Sequence, residues 1–311
     1  MGKFKFTVKK NKTFLNGKPF LARGLRCSQA LYSEKSTHEL VSNLKSYTEY
    51  GLNTISVFFM GNRFGDMKAY KEDGSLNETY ASRMGKIIAA ADDLGMVVLV
   101  GCLYWGESKA KWPKWTQKDA ETAITNSVNW VKDHNFTNVF FDVDNEGMAR
   151  NQAGFDTRSM ILAAKKAGPE YCAASNYVGP APKEADLCLH HSYYDKTKPF
   201  IESEGVPENA PGAYWGHFSR KASEICNYGN DPSYNNYINI GLYTEEMKAE
   251  QIQTSDMHFA RGDGYLLAST WLQAAEPFGP NHAPGGNGTP GNPGILWWLE
   301  YTKHKFGQYK A

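Results

Sequence analysis

The sequence predicts a single (β/α)₈ barrel, and three observations carry that prediction. Short β-rich runs alternate with longer stretches of helical period along all 311 residues. Eight such runs occur, the number a barrel needs. Most of them are apolar nearly throughout, as expected of parallel strands covered on both faces. A doubly wound open sheet is the competing fold. It should show G-x-G-x-x-G after an early strand, and none is present.

The elements follow in order. Residues 1–19 form an N-terminal extension, with Phe4–Lys18 alternating as a hairpin that turns at Asn16-Gly17. Phe20–Cys27 is the first barrel strand. A helix over Ser36–Tyr50, capped by Ser36 or Thr37 and stopped at Gly51, leads to Asn53–Phe59. A helix over Ala81–Leu94 ends at Gly95 before the third strand, Met96–Leu103. The helix Lys118–His134 precedes Asn138–Asn145, and Thr157–Ala167 precedes Tyr171–Ser175. Leu187–Ser192 and Phe200–Glu204 are strands six and seven, too close together for a full helix between them. The helix Thr244–Ala260 precedes Tyr265–Trp271, and Ile295–Phe306 closes the barrel. Long loops follow strands seven (Val206–Tyr243) and eight (Pro277–Pro293), where active-face loops shape subsites.

Composition narrows the function. Thirty-four basic and 33 acidic residues leave a net charge of +1, which argues against a nucleic-acid or anionic-lipid partner. No apolar run is long enough to span a bilayer. Aromatics make up 14%, a surplus that suits stacking on sugar faces, although a large core uses them too. The five cysteines are odd in number and lack zinc spacing, so neither a complete disulfide set nor a metal is expected. The start, MGKFKFTVKK, has no signal-like apolar stretch. A cytoplasmic protein is expected, or a secreted or periplasmic one whose signal has been removed. Oligomeric state is not legible.

Barrel chemistry sits at the C-terminal strand ends. There the sequence places Arg26-Cys27-Ser28, Tyr104-Trp105, Asn145-Glu146, Asn176-Tyr177, His190-His191-Ser192-Tyr193, Glu202-Ser203-Glu204 and Trp271. Glutamates ending strands four and seven would face each other across one mouth. Glycosidic cleavage needs such a pair: one acid protonates the leaving oxygen, the other attacks or stabilises the anomeric carbon. Proximity and burial raise the acid's pKa towards neutrality.

These motifs resemble the clan A glycoside hydrolases, (β/α)₈ enzymes that include β-galactosidases, β-mannanases and endoglucanases. Asn145-Glu146 resembles their strand-four Asn-Glu, and KPFIESEG (Lys198–Gly205) their strand-seven nucleophile segment. FLNGKPFLARG (Phe14–Gly24) resembles their opening. The resemblance implies Glu146 as acid/base, Glu204 as nucleophile and no cofactor. It implies that Asn145 bonds a sugar hydroxyl, that Tyr193 of His191-Ser192-Tyr193 bonds the nucleophile, and that Trp271 is a sugar platform. Two departures stand out. Ser56 occupies the place of the family's strand-two Arg, leaving Arg26 or Arg63 to supply a cation, and Gly147 replaces the usual Pro after the acid/base.

Other readings compete residue by residue. Glu202 rivals Glu204, because residues two apart on a strand share a face. Asp142 and Asp144 are expected to pair with Arg23 or Arg26, since buried acids need partners. His191 is expected to bind substrate or orient Glu204, and His190 to be core. Trp105, Trp215 and Asn176 are further substrate-binding candidates, while Trp112 and Trp115 suit loop packing or stacking. The expected activity is retaining hydrolysis of a β-linked oligo- or polysaccharide. A transglycosylase with the same residues, a non-catalytic carbohydrate-binding barrel, and a metal-dependent hydrolase using His190, His191 and Asp195 are the alternatives.

Overall fold

A computed structural model describes residues 2–61, 67–106, 111–176, 179–190, 192–205, 245–268 and 295–311. The chain opens with an antiparallel sheet of β1 (Phe6–Lys9), β2 (Lys12–Leu15) and β3 (Lys18–Phe20). The sequence predicts one hairpin here, and the structure has two. Lys10-Asn11 makes a second tight turn, with Lys10 in the left-handed region at φ 56°, a conformation that lysine seldom signals. Asn16-Gly17 turns β2 into β3 as expected.

All eight expected barrel strands form. They are β4 (Arg23–Arg26), β5 (Thr54–Phe58), β6 (Val97–Leu103), β7 (Val139–Asp144), β8 (Ala173–Ala174), β10 (Cys188–Leu189), β12 (Phe200–Gly205) and β13 (Gly264–Ala268). They are parallel and run in the order β10-β12-β13-β4-β5-β6-β7-β8. Among the described residues a single parallel bridge, Asn176 to Leu189, joins the two ends and nearly closes the barrel. Two short strands, β9 (Gly179–Pro180) and β11 (Ser192–Tyr193), pair with each other outside it.

The helices are α1 (Glu34–Glu49), α2 (Glu78–Asp93), α3 (Gln117–Asp133), α4 (Met148–Ala153), α5 (Thr157–Ala167), α6 (Glu245–Arg261) and α7 (Leu296–Phe306). Helix α1 starts earlier than the sequence suggests, because Ser33 Oγ, not Ser36 or Thr37, accepts the capping bond, from Ser36 N at 3.0 Å. The amide and hydroxyl of Thr116 both donate to Asp119 at the start of α3.

Every residue of β5, β6 and β7 is buried, as expected of parallel strands covered on both faces. A Cβ at Gly101 would stand 1.9 Å from the Phe58 ring, so the absent side chain makes room for that ring near the barrel mouth. The N-terminal sheet seals the opposite end. Phe6 stacks on Phe140 with centroids 4.8 Å apart, and its amide donates to Thr137 just before β7. Burying a phenylalanine in this way contributes about 1.5–3 kcal/mol. The cysteines 27, 102, 172 and 188 are free and buried, consistent with core use. With the far end covered, chemistry is left to the C-terminal strand ends.

Candidate active site

Arg26, the last residue of β4, organises the mouth. Its side chain is fully buried and lies 4.9 Å over the Phe58 ring. Its Nη2 stands 2.8 Å from Glu204 Oε1 and also donates to Asn145 Oδ1 at 2.8 Å. Asn176 Nδ2 donates to the same Glu204 oxygen at 2.9 Å and to Asn145 Oδ1 at 3.3 Å. Asn145 Nδ2 donates to Glu146 Oε1 at 3.3 Å. One hydrogen-bonded chain thus joins the two glutamates expected to do chemistry. Arg26 is adjacent in register to Ser56, the place of the family's strand-two Arg. The neighbouring strand therefore supplies the cation. Arg63, the other candidate, lies outside the described residues.

Glu146 is aimed by a strained turn. After β7 the chain makes a single 3₁₀ turn, Asn145–Gly147, in which Glu146 takes φ 54° and Gly147 φ 59°. A non-glycine residue held left-handed costs about 1–2 kcal/mol, and such strain collects at functional positions. Gly147 has no side chain to clash there, which gives a conformational reason for the departure from Pro. The Asp144 carboxylate accepts from the amides of Ala149 at 2.9 Å and Arg150 at 3.1 Å, anchoring α4 directly behind the turn. Burial, then the nearby Glu204 charge, push the Glu146 carboxyl up to about 7, with Arg26 and His190 opposing.

Strand β12 carries its glutamates past a bulge. Glu202 pairs with Tyr265 but Gly205 with Leu267, so three steps on β12 face two on β13. Glu202, two residues before Glu204, is bonded to His190 Nδ1 and accepts the Glu204 amide at 3.0 Å. His190 itself is held at φ 33°.

The acids of β7 depart from expectation. Asp142 and Asp144 are held by backbone amides in place of an ion pair with Arg23 or Arg26. Arg26 is already committed to Glu204 and Asn145, and Arg23 stacks 4.5 Å over Phe306. Asp142 Oδ1 accepts the amides of Asp144 and Asn176, at 3.3 and 3.1 Å, and so holds up the backbone of both. Burial pushes both aspartates up to about 7.

Of the residues named from sequence, Glu146, Glu204, Asn145, Asn176 and Arg26 converge. Arg26, Asn145 and Asn176 are fully buried, and each bonds to one of the two glutamates. Tyr193 does not join them. His190 turns left-handed after β10 and the chain leaves the barrel to form β11, carrying Tyr193 outward to 62% exposure. Among the described residues, the tyrosine that reaches the cluster is Tyr104, directly after β6. It is buried beside Arg26, and burial, then the Glu146 charge, raise its phenol. Its signal was its place at a strand end, which the His-x-Tyr pattern outweighed. Trp105 is not an open platform: it is buried against Trp115 (5.9 Å) and Phe155 (5.1 Å). Trp112 and Trp115 donate to the carbonyls of Tyr70 and Glu72, as loop packing predicts. His190, read as core, and Glu202, read as a rival nucleophile, instead bond to each other. His191, Trp215 and Trp271 lie outside the described residues, as do the two long loops. Among the described residues no group of three or more His, Cys, Asp or Glu is arranged to hold a metal ion. None of the described helices is long and apolar enough to cross a membrane.

No protein-family model matches the chain, and no curated protein matches it in sequence. Solved structures do match in fold. An exo-β-1,4-mannosidase from an Opitutaceae bacterium superposes with a TM-score of 0.59 at 12% identity, over 96% of this chain and 62% of that one. A glycoside hydrolase family 5 structure from Bacteroides vulgatus gives 0.59 at 12% identity, over 97% and 70%. A β-1,4-D-mannanase from Cryptopygus antarcticus gives 0.53 at 10% identity, over 86% and 88%. The fold is a (β/α)₈ barrel, and the structures it resembles are clan A glycoside hydrolases. Within that clan, the similar structures are those of family 5.

Proposed function

We propose that the protein is a single-domain retaining glycoside hydrolase acting on a β-linked oligo- or polysaccharide. The observation that carries this reading is the contrast between its two mouth glutamates. Glu204 is held at one oxygen by Arg26 and Asn176, which fix its carboxyl in place. Glu146 is pushed up to about 7 and so holds a proton near neutrality. One group is suited to attack and the other to donate.

The reaction then runs in two displacements. Glu204 Oε attacks the anomeric carbon as the glycosidic C–O bond breaks, and Glu146 gives its proton to the departing oxygen. The sugar is left esterified to Glu204, and Glu146 is left ionised. Water enters, loses a proton to Glu146 and attacks the same carbon, which frees Glu204. General acid–base help of this kind contributes about 10²–10⁴-fold in rate. Arg26 and Asn176 keep Glu204 aimed, and Asn145 ties Arg26 to Glu146. No residue in this scheme needs a cofactor.

The similar structures include enzymes named for β-1,4-mannosidic substrates, which makes aryl β-mannosides and mannan the first probes. A panel of aryl β-glycosides and β-glycans, assayed with the wild type and Glu146→Ala side by side, tests the reading. Wild-type cleavage is expected on at least one member. With an activated aryl leaving group, azide should restore turnover to Glu146→Ala and yield the β-glycosyl azide. An α-azide product, or glycan binding without any cleavage, would contradict the reading.

A further inference from the structure

Glu202 and His190 are a buried acid and base that the double displacement does not use, although they lie directly beneath its nucleophile. Glu202 is 8% exposed and its carboxylate is bonded to His190 Nδ1. The same Oε1 accepts the backbone amide of Glu204 at 3.0 Å. That amide lies within the bulge between Glu202 and Gly205, where the ladder to β13 slips by one residue. A bulge leaves its extra residue unpaired in the ladder. Here a side chain two residues back supplies the acceptor. A Cβ at Gly205 would lie 2.3 Å from the Tyr265 ring, so the strand closes tightly against β13 just past the bulge. His190 is reached from the adjacent strand, its own amide donating to Ile201 O at 3.1 Å, and it holds a left-handed backbone at φ 33°.

We propose that Glu202 and His190 form a positioning pair: His190 holds the Glu202 carboxylate, and the Glu202 oxygen fixes the bulged backbone that aims Glu204. This rests on the double-displacement reading above. The charges around the pair are consistent with it. Glu202, Glu204 and Glu146 face His190, and although burial opposes its charge, they raise it to about 9. His258 of α6 faces Glu202. Arg26 and Tyr104 face Glu146 and Glu204 from β4 and the end of β6. His190 in turn lowers the Glu146 carboxyl, acting with Arg26 against burial and Glu204.

The acceptor and the charge come apart by substitution. Glu202→Gln keeps an acceptor for the Glu204 amide but removes the counter-charge of His190. Glu202→Ala removes both. His190→Asn removes the cation and leaves the acceptor. The measurements are the pH profile of kcat/KM on whichever aryl β-glycoside the wild type cleaves, and the His190 ring titration by ¹⁵N NMR. His190 should stay charged to about pH 9 in the wild type and titrate lower in Glu202→Gln. Losing that cation lets Glu146 hold its proton more tightly. The basic limb should therefore move up in both Glu202→Gln and His190→Asn. Glu202→Ala should also lower kcat about 10–100-fold below Glu202→Gln with little change in KM, as misplacement of a reacting group does. Equal kcat in Glu202→Ala and Glu202→Gln, or a wild-type His190 titrating near its ordinary 6.5, would overturn the proposal. If the wild type cleaves none of the glycosides, the hydrolase reading fails while the NMR titrations still decide the pairing, because they need no substrate.

Discussion

Arg26 Nη2 lies 2.8 Å from Glu204 Oε1, with the two side chains almost wholly withdrawn from solvent. A buried pair of this kind adds little net stability over a well-packed apolar pair, but breaking it from one side is costly. Arg26→Met should therefore destabilise the protein by about 3–5 kcal/mol, because Glu204 is left as an uncompensated buried charge. Arg26→Met with Glu204→Gln should recover much of that loss. Urea denaturation of the two single variants and the double variant measures the coupling. Additive losses would show that the contact carries no energy of its own.

Glu146 should set the upper pH limit of activity. It must be protonated to help the leaving group, and it is pushed up to about 7 by burial and by Glu204. Catalytic efficiency should then fall as pH rises through about 7. Glu146→Gln should lose this limb and keep most activity only on substrates whose leaving groups need no proton. An unchanged limb in that variant would assign the titration elsewhere.

The left-handed turn yields a stability prediction of opposite sign to its effect on activity. Glu146 sits at φ 54°, where only glycine is unstrained. Glu146→Gly should be about 1 kcal/mol more stable than Glu146→Ala, because the alanine keeps the strained backbone. Both should lack acid assistance. Thermal melts of the two variants give the comparison, and equal melting temperatures would remove the strain argument.

Stability should decline from mildly acidic to basic pH. Asp142, Asp144 and Glu146 are all raised to about 7, so the folded state holds their protons more tightly than the unfolded chain does. Their contribution is present at low pH and is lost as pH rises through about 7. His190, raised to about 9, stabilises fully below its unfolded value and ceases to as pH passes 9. Melting temperatures should therefore be lower at pH 9 than at pH 6. Equal values, or a rise, would contradict these directions.

Much of this was legible in the sequence, for identifiable reasons. The runs NTISVFF and MVVLVGCL announce strands buried on both faces, and β5 and β6 are buried at every position. The strand-end rule brought Arg26, Asn145, Glu146, Asn176 and Glu204 into one neighbourhood. What misled was local geometry that leaves no mark on residue type. The left-handed turn at His190 takes Tyr193 out to the surface, and Tyr104 stands in the cluster. The bulge in β12 explains why two glutamates two residues apart have different surroundings, although simple alternation puts them on one face. Asp144 caps a short helix that no apolar period signalled.

The most direct test is to trap the covalent intermediate. The wild type would be incubated with a 2-deoxy-2-fluoro aryl glycoside of whichever sugar it cleaves, digested, and read by mass spectrometry. The account predicts one sugar-bearing peptide with the adduct on Glu204, and no adduct in Glu204→Gln. An adduct on Glu202, or steady turnover by Glu204→Gln, would contradict it.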